Sequence, residues 1–426
     1  MATVHLYSLA SPLHSEVMPS ALEDSFIKEL VNELAGAGVE LAEHHGFSSW
    51  GTDPSHEVLY VRTGGTEGIF RSIFCADGTL RIPEPVRLLT SGRSNSLAAS
   101  MEILSYLNLH GVAGEILHGT PACIASRILS GAGKHSVSGT GLVKSVSPGR
   151  ILEGERLGVV GHPSDWLISS DVDYARAREV LGLELVDVPM EELLEEFARH
   201  EHPEVNLPEL NTPKFGNPIP GSDLSDSLDI YGALLRIIRK YKLNGLTIRC
   251  FDLLTSVHNT GCMSLALLNS QGFVATCEGD VPAMISMAVA RKVTASAGRG
   301  CSGFQANLSR IEDDNLLFAH CTLPLSMARS WVYDTHFESG FGVAVHGEIP
   351  EGPVTIFKLS PDLRKAFIFE GEILQNQYSA NLCRTQILVN APGAAPYFLR
   401  ESIGNHHVII PGRLASALTA ILSSPV

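Results

Sequence analysis

A change of rhythm near residue 309 constrains this chain more than any other feature. From the start to about residue 120, short runs rich in β-formers alternate with longer helical patterns. That alternation is the signature of a parallel sheet, because parallel strands need a crossover and the crossover helix packs on the sheet. The clearest pairs are Val58 to Val61 with Glu67 to Phe74, and Val86 to Leu89 with Ser96 to His110. Ser130 to Arg150, rich in Gly and Ser, reads as a connector. RLGVVG at Arg156 to Gly161 starts the alternation again, and it continues through Ala288. It is broken at His200 to Asp223, where five prolines predict a surface insertion. After Ser309, LLFAHCTLP, GFGVAVHGEI, VTIFKLS, KAFIFEGEIL and TQILVNA follow one another as strand-like runs with little helix between them. The expected fold is α/β: two Rossmann-like α/β domains, residues 1–150 and 151–305, then a β-rich, barrel-like domain over residues 306–426.

Composition narrows the partners. With 31 Lys and Arg against 46 Asp and Glu, the net charge of −15 leaves no broad basic surface to displace counterions from a phosphate backbone, so nucleic acid is not an expected partner. No apolar run reaches the length of a membrane span, and MATVHLYSLASPLHSE lacks the basic and apolar regions of a secretory signal. A cytoplasmic protein that does not engage membranes is expected. Eight cysteines are scattered without a C-x-x-C pair, which predicts neither a disulfide framework nor a structural zinc.

Chemistry concentrates in the second half. TCEGDVPAMISM places Glu278 and Asp280 after an apolar strand and before a helix, at the strand end where open α/β sheets gather ligands. Asp280 suits a helix cap as well as it suits function. Glu278 lies two residues further out, and Gly279 beside it permits a close backbone approach. ESIGNHHVIIPG places two adjacent histidines on a strand, of which at most one faces a given site. FQANLSR, FAHCTLP, THFESG and LCRTQI bring Asn307, His320, His336, Glu338 and Arg384 into apolar surroundings. Burying such groups without partners is costly, so as a set they predict a shared polar cavity, although each alone reads as a satisfied core or edge residue.

The order CEGD, ANLSR, HCTLP, THFESG, CRTQ, GNHH resembles the C-terminal half of L-fucose isomerase-like proteins, a group related to L-fucose and L-arabinose isomerases. VGHPSDWLISS, with Trp166, and the turn GGTEG at Gly64 to Gly68 are similar to less specific family segments. The resemblance implies two α/β domains and a β-rich third. It also implies a divalent cation, most often Mn2+, with Mg2+, Co2+ or Zn2+ as alternatives. The ligands it implies are a Glu, an Asp and a His, which fall on Glu278, Asn307 and His406. Asn307 departs from that pattern: an amide offers its carbonyl oxygen to a hard cation but carries no charge and takes up no proton. Homo-oligomers in which the first domain of one subunit closes the site of another are implied too.

The expected reaction is interconversion of an aldose and its ketose through a cis-enediol. Glu278 and His320 are the candidate acid/base groups. Asp280, Trp166, His336, Glu338, Arg384 and Asn405 are the candidate contacts to the sugar, with Arg384 also suited to an anionic substituent. The alternatives are a sugar-binding or regulatory protein without catalysis, and an epimerase or lyase.

Overall fold

The computed structural model describes residues 2–11, 19–130, 141–214, 218–296, 298 and 300–423. Five strands form the first sheet, in the spatial order Val39–Glu43, Ala2–Leu9, Glu57–Val61, Val86–Thr90, Gly114–Leu117. Every neighbouring pair is parallel. Glu57–Val61 and Val86–Thr90 are buried at each residue, as expected of strands covered by helices on both faces. A second sheet of four parallel strands follows, ordered Glu184–Val188, Arg156–Val160, Gly245–Ile248, Val274–Thr276.

The third sheet is antiparallel. Strand Phe304–Glu312 lies between Asn315–His320 and His406–Pro411. Thr385–Asn390 and Lys365–Asn376 extend it on one side and Gly352–Leu359 on the other. Gly352–Leu359 also pairs with Lys365–Asn376, which closes the six strands into a barrel and leaves no edge between them. The alternation that ends before the barrel and the strand-rich pattern after it are both realised, the latter with two short helices, Ala395–Arg400 and Ala415–Ser423.

Two sequence assignments change in detail. Val143–Ser145, inside the expected connector, pairs with Lys365–Phe367 and adds a seventh strand to the barrel sheet, while residues 131–140 of that segment lie outside the described residues. In the proline-rich insertion, residues 200–214 form no regular element, and 215–217 lie outside the described residues. The insertion is nonetheless anchored. Asn211 exchanges hydrogen bonds with the backbone of Tyr333, and the Tyr333 hydroxyl donates to the Pro208 carbonyl.

Two helices apolar on every side explain how the sheets meet, since such a helix must be buried on every side. Ser96–Leu109 is buried over its first twelve residues and lies between the first sheet and barrel strand Phe304–Glu312. Val281–Ser296 packs between the second sheet and barrel strands Gly352–Leu359 and His406–Pro411, in one apolar cluster joining Val159 and Val274 to Met284, Phe357 and Val408. Among the described residues, no helix is long and apolar enough to cross a membrane.

Candidate active site

Glu278 is aimed by its backbone. It follows strand Val274–Thr276 with φ of 64°, a left-handed conformation rare outside glycine and costing on the order of 1 kcal/mol or more, and Gly279 continues at 71°. A Cβ at 279 would stand 2.6 Å from the His162 carbonyl oxygen, so only glycine fits there. The turn is held by the Ser164 amide, which donates to the Glu278 carbonyl. The carboxylate then receives the Trp166 indole N–H at 2.7 Å on Oε2 and presents Oε1 to two histidines. Burial opposes its ionisation, but His406, His320 and the indole outweigh that and hold its pKa below the ordinary value.

His406 and His407 face opposite ways, as their positions on strand His406–Pro411 require. His407 Nε2 pairs with the Tyr397 hydroxyl at 2.9 Å. His406 Nδ1 lies 2.9 Å from Asp280 Oδ2, and its Nε2 lies 3.4 Å from Glu278 Oε1. Burial alone would drive the proton from His406, yet Glu278 and Asp280 prevail and raise its pKa to about 9. The surroundings thus demand positive charge at this point.

Asp280 both caps and supports. Its Oδ1 accepts the Ala283 amide at 2.6 Å, capping helix Val281–Ser296, and both of its oxygens lie within 3.3 Å of Lys358 Nζ. Despite complete burial, Lys358, His406 and the amide hold its carboxyl well below the usual range. Neither Asp280 nor His406 is among the residues lining the cleft, and Asp280 Oδ2 fixes the His406 ring through Nδ1.

Glu278, His320 and His406 offer ligand atoms that all lie within 4.8 Å of one another. Burial, then His406, pushes the His320 pKa down to about 4, which leaves a neutral imidazole. Its Nδ1 is shared with the Thr322 hydroxyl at 3.1 Å, and its Nε2 lies 3.9 Å from Glu278 Oε1. Asn307 stands directly across the strand pair from His406 and lines the same cleft. Its Oδ1 is buried without a hydrogen-bond partner, as is His406 Nε2. The Asn307 oxygen in the lining and the neighbouring His406 Nε2 leave room for a cation or polar ligand held between them. Two imidazoles, a carboxylate and an amide oxygen form a donor set of intermediate softness, compatible with Mn2+, Co2+ or Zn2+. His320 thus joins the Glu278, Asn307 and His406 set that the resemblance implied.

The cleft encloses about 690 Å3 including its mouth. Trp166, His336, Glu338 and Asn405 line it. Trp166 packs edge-on against Phe251, and Phe251 edge-on against His336, whose Nδ1 meets the Ser339 hydroxyl at 3.0 Å. Glu338 stands exposed and accepts from Asn95 Nδ2 at 2.8 Å. Asn405 Oδ1 accepts the His406 amide at 2.6 Å. Arg384 is not a lining residue. Its guanidinium is buried against the Thr335 carbonyl and hydroxyl, the Ala380 carbonyl and Asp334, which ties it to the segment leading to His336.

One wall was not anticipated from the sequence. Gly64, Gly65, Glu67, Asn95, Ala98 and Ala99, from the loops and helix starts that follow strands Glu57–Val61 and Val86–Thr90 of the first sheet, also line the cleft. Glu102, also unforeseen, ties the three sheets together below it. From helix Ser96–Leu109 its carboxylate accepts from the Ser169 amide at 2.8 Å, the Ser170 hydroxyl at 3.2 Å and the Asn405 amide at 3.2 Å. A lone acid within SLAASMEILSYLNL, and a lone Lys358 within VTIFKLS, were the available signals.

No family model matches the chain. Over 295 residues it is 21% identical to the sulfoquinovose isomerases of Priestia aryabhattai and of Priestia megaterium, an alignment that spans 65% of this chain and 65% of the length of those relatives. The chain is therefore distantly similar to sugar isomerases.

Proposed function

We propose that this protein is a metal-assisted aldose–ketose isomerase. The observation that carries the reading is the convergence of Glu278, His320 and His406 within 4.8 Å of one another, beside a cleft lined by Glu278, His320 and the unpartnered Asn307 carbonyl. The distant similarity to sulfoquinovose isomerases agrees with it. Glu278 Oε1, His320 Nε2, His406 Nε2 and Asn307 Oδ1 would hold the cation. When bound, a divalent cation polarises the sugar carbonyl and stabilises the negative charge of the enediolate.

The chain's own residues do the rest. Glu278, kept ionised by its neighbours, takes the proton from C2 through Oε2 and returns it to C1. Trp166 orients that oxygen through its indole N–H. Asp280 fixes the His406 ring from behind. Trp166 and Phe251 give the sugar an apolar wall that keeps water from the enediol. His320, neutral and tied to Thr322, acts as a ligand rather than as the proton carrier. The lining includes three carboxyl side chains, Glu67, Glu278 and Glu338, and no Lys or Arg among the described residues, which favours an uncharged sugar over an anionic one.

The test is solvent-deuterium incorporation at the sugar carbons by protein reconstituted with Mn2+, across aldoses and ketoses that include sulfoquinovose. Exchange that disappears with the metal in Glu278→Gln is the expected result. Bound metal without exchange on any sugar would instead identify a binding protein, and a product other than the partner aldose or ketose would identify an epimerase or lyase.

A further inference from the structure

The proposed cation ligands leave one proton without a carrier. Converting an aldose to a ketose moves hydrogen twice: from C2 to C1, and from the hydroxyl on O2 to the oxygen on C1. Glu278 accounts for the first movement. Asn307, which occupies the position of the carboxylate implied by the family resemblance, takes up no proton and cannot account for the second.

Glu67 has the properties this role requires. It begins helix Glu67–Phe74 and lines the cleft opposite the barrel residues. An acid in the first turn of a helix is ordinarily a solvated partner of the helix dipole, worth a few tenths of a kcal/mol when exposed. Glu67 is only 2% exposed, and its Oε2 is buried without a hydrogen-bond partner. No Lys or Arg stands among the described lining residues to neutralise it, while Glu278 and Glu102 add negative charge from two sides. Burial, with Glu102 and Glu278 adding to it, outweighs the backbone hydrogen bonds at Glu67 and Thr66 and raises its pKa well above the ordinary value, which favours the neutral acid. Of the other acid–base groups in the lining, Glu338 accepts from Asn95 on Oε1, with desolvation in the cleft raising its pKa to about 7, and His336 pairs with Ser339, whereas the Oε2 of Glu67 has no partner.

We infer that Glu67 is a further catalytic residue of this site, the carboxylic acid that carries the hydroxyl proton between the two sugar oxygens. The inference rests on the isomerase reading above. As Glu278 removes the proton from C2, Glu67 gives its own to the carbonyl oxygen on C1, and the neutral enediol forms. Glu67 then takes the proton from the hydroxyl on O2 as Glu278 returns its proton to C1. Both carboxyl groups end as they began, and no oxidant or further reactant is needed.

Glu67→Gln keeps the shape of the side chain and removes the transferable proton. In the full chain loaded with Mn2+, on whichever sugar the wild type turns over, kcat is expected to fall at least about 100-fold, the scale of a lost general acid. KM, Mn2+ affinity measured by titration of the metal-free protein, and melting temperature should stay within about threefold or a few degrees of wild type. Glu67→Asp should recover part of the loss. Wild-type kcat in Glu67→Gln, or a change confined to KM, would overturn the role of Glu67 while leaving the isomerase reading intact. A wild-type protein that exchanges no sugar would overturn both.

Discussion

Lys358→Met examines the charge balance beneath the site. Lys358 lies on barrel strand Gly352–Leu359, fully buried, with Nζ at 3.2 and 3.3 Å from the two oxygens of Asp280. Two unit charges at 3.2 Å in a medium of effective dielectric about 20 attract by about 5 kcal/mol. Replacing lysine removes its own desolvation cost, which offsets part of that attraction. It also leaves Asp280 with His406 and the Ala283 amide as its remaining partners. Breaking a buried pair from one side typically costs about 3–5 kcal/mol, and about 3 kcal/mol is the expectation here. At about 2 °C per kcal/mol for large domains, the melting temperature should fall by about 6 °C. Lys358→Met with Asp280→Asn should be more stable than Lys358→Met alone, because the amide oxygen still caps helix Val281–Ser296 and no buried charge is left unbalanced. The assay is thermal unfolding of the two single variants and the double. A Lys358→Met protein that melts within 1 °C of wild type, or single losses that simply add in the double, would refute the reasoning.

Two further outcomes are expected. Gly279→Ala forces a Cβ to within 2.6 Å of the His162 carbonyl oxygen at a φ of 71°, so it should displace Glu278, weaken Mn2+ binding at least about tenfold and destabilise the fold by about 2 kcal/mol, checked by metal titration and unfolding. His118 Nε2 accepts the Ile311 amide at 3.1 Å between the first sheet and the barrel, and burial pushes its pKa down to about 4 against 6.5 in the unfolded chain. The folded form therefore binds fewer protons than the unfolded form between these values. This contribution is fully present above pH 6.5 and is lost as pH falls toward 4, amounting in total to about 3 kcal/mol. His118→Gln should flatten that part of the urea stability profile, and an unchanged slope between pH 6.5 and 4 would exclude His118 as its source.

What was legible in the sequence depended on periodicity. Parallel strands buried on both faces leave continuous apolar runs, antiparallel barrel strands leave close-spaced runs with turns, and both signals are local. The opposite facing of His406 and His407 and the need for glycine at 279 were also local consequences of backbone geometry. Barrel closure by Gly352–Leu359 against Lys365–Asn376 and the docking of Val143–Ser145 were not, because edge pairing depends on distant partners. The site divides in the same way. Glu278 and His320 stood out as polar residues at strand ends, whereas the choice of Asn307 and of His406 over His407 came from the resemblance. Arg384 read as an anion fork because nothing in LCRTQI reveals that Thr335 and Asp334 occupy it. Glu67 was invisible for the opposite reason, since an acid in the first turn of a helix is ordinary until its burial is known.

Burial also distinguishes a site from a well-packed polar core. Glu102, Asp280 and Lys358 are as deeply enclosed as any group in the cleft, yet their hydrogen bonds and ion pairs lie within the protein. Glu67 Oε2, Asn307 Oδ1 and His406 Nε2 are enclosed equally and have no hydrogen-bond partner. Each such atom costs about 1–3 kcal/mol relative to a satisfied one. On the isomerase reading proposed above, Glu67 Oε2 and Asn307 Oδ1 are the unpartnered atoms in the cleft lining, where a cation and sugar oxygens would supply partners, whereas others such as Trp50 Nε1, Arg87 Nη1 and His118 Nδ1 belong to residues outside it.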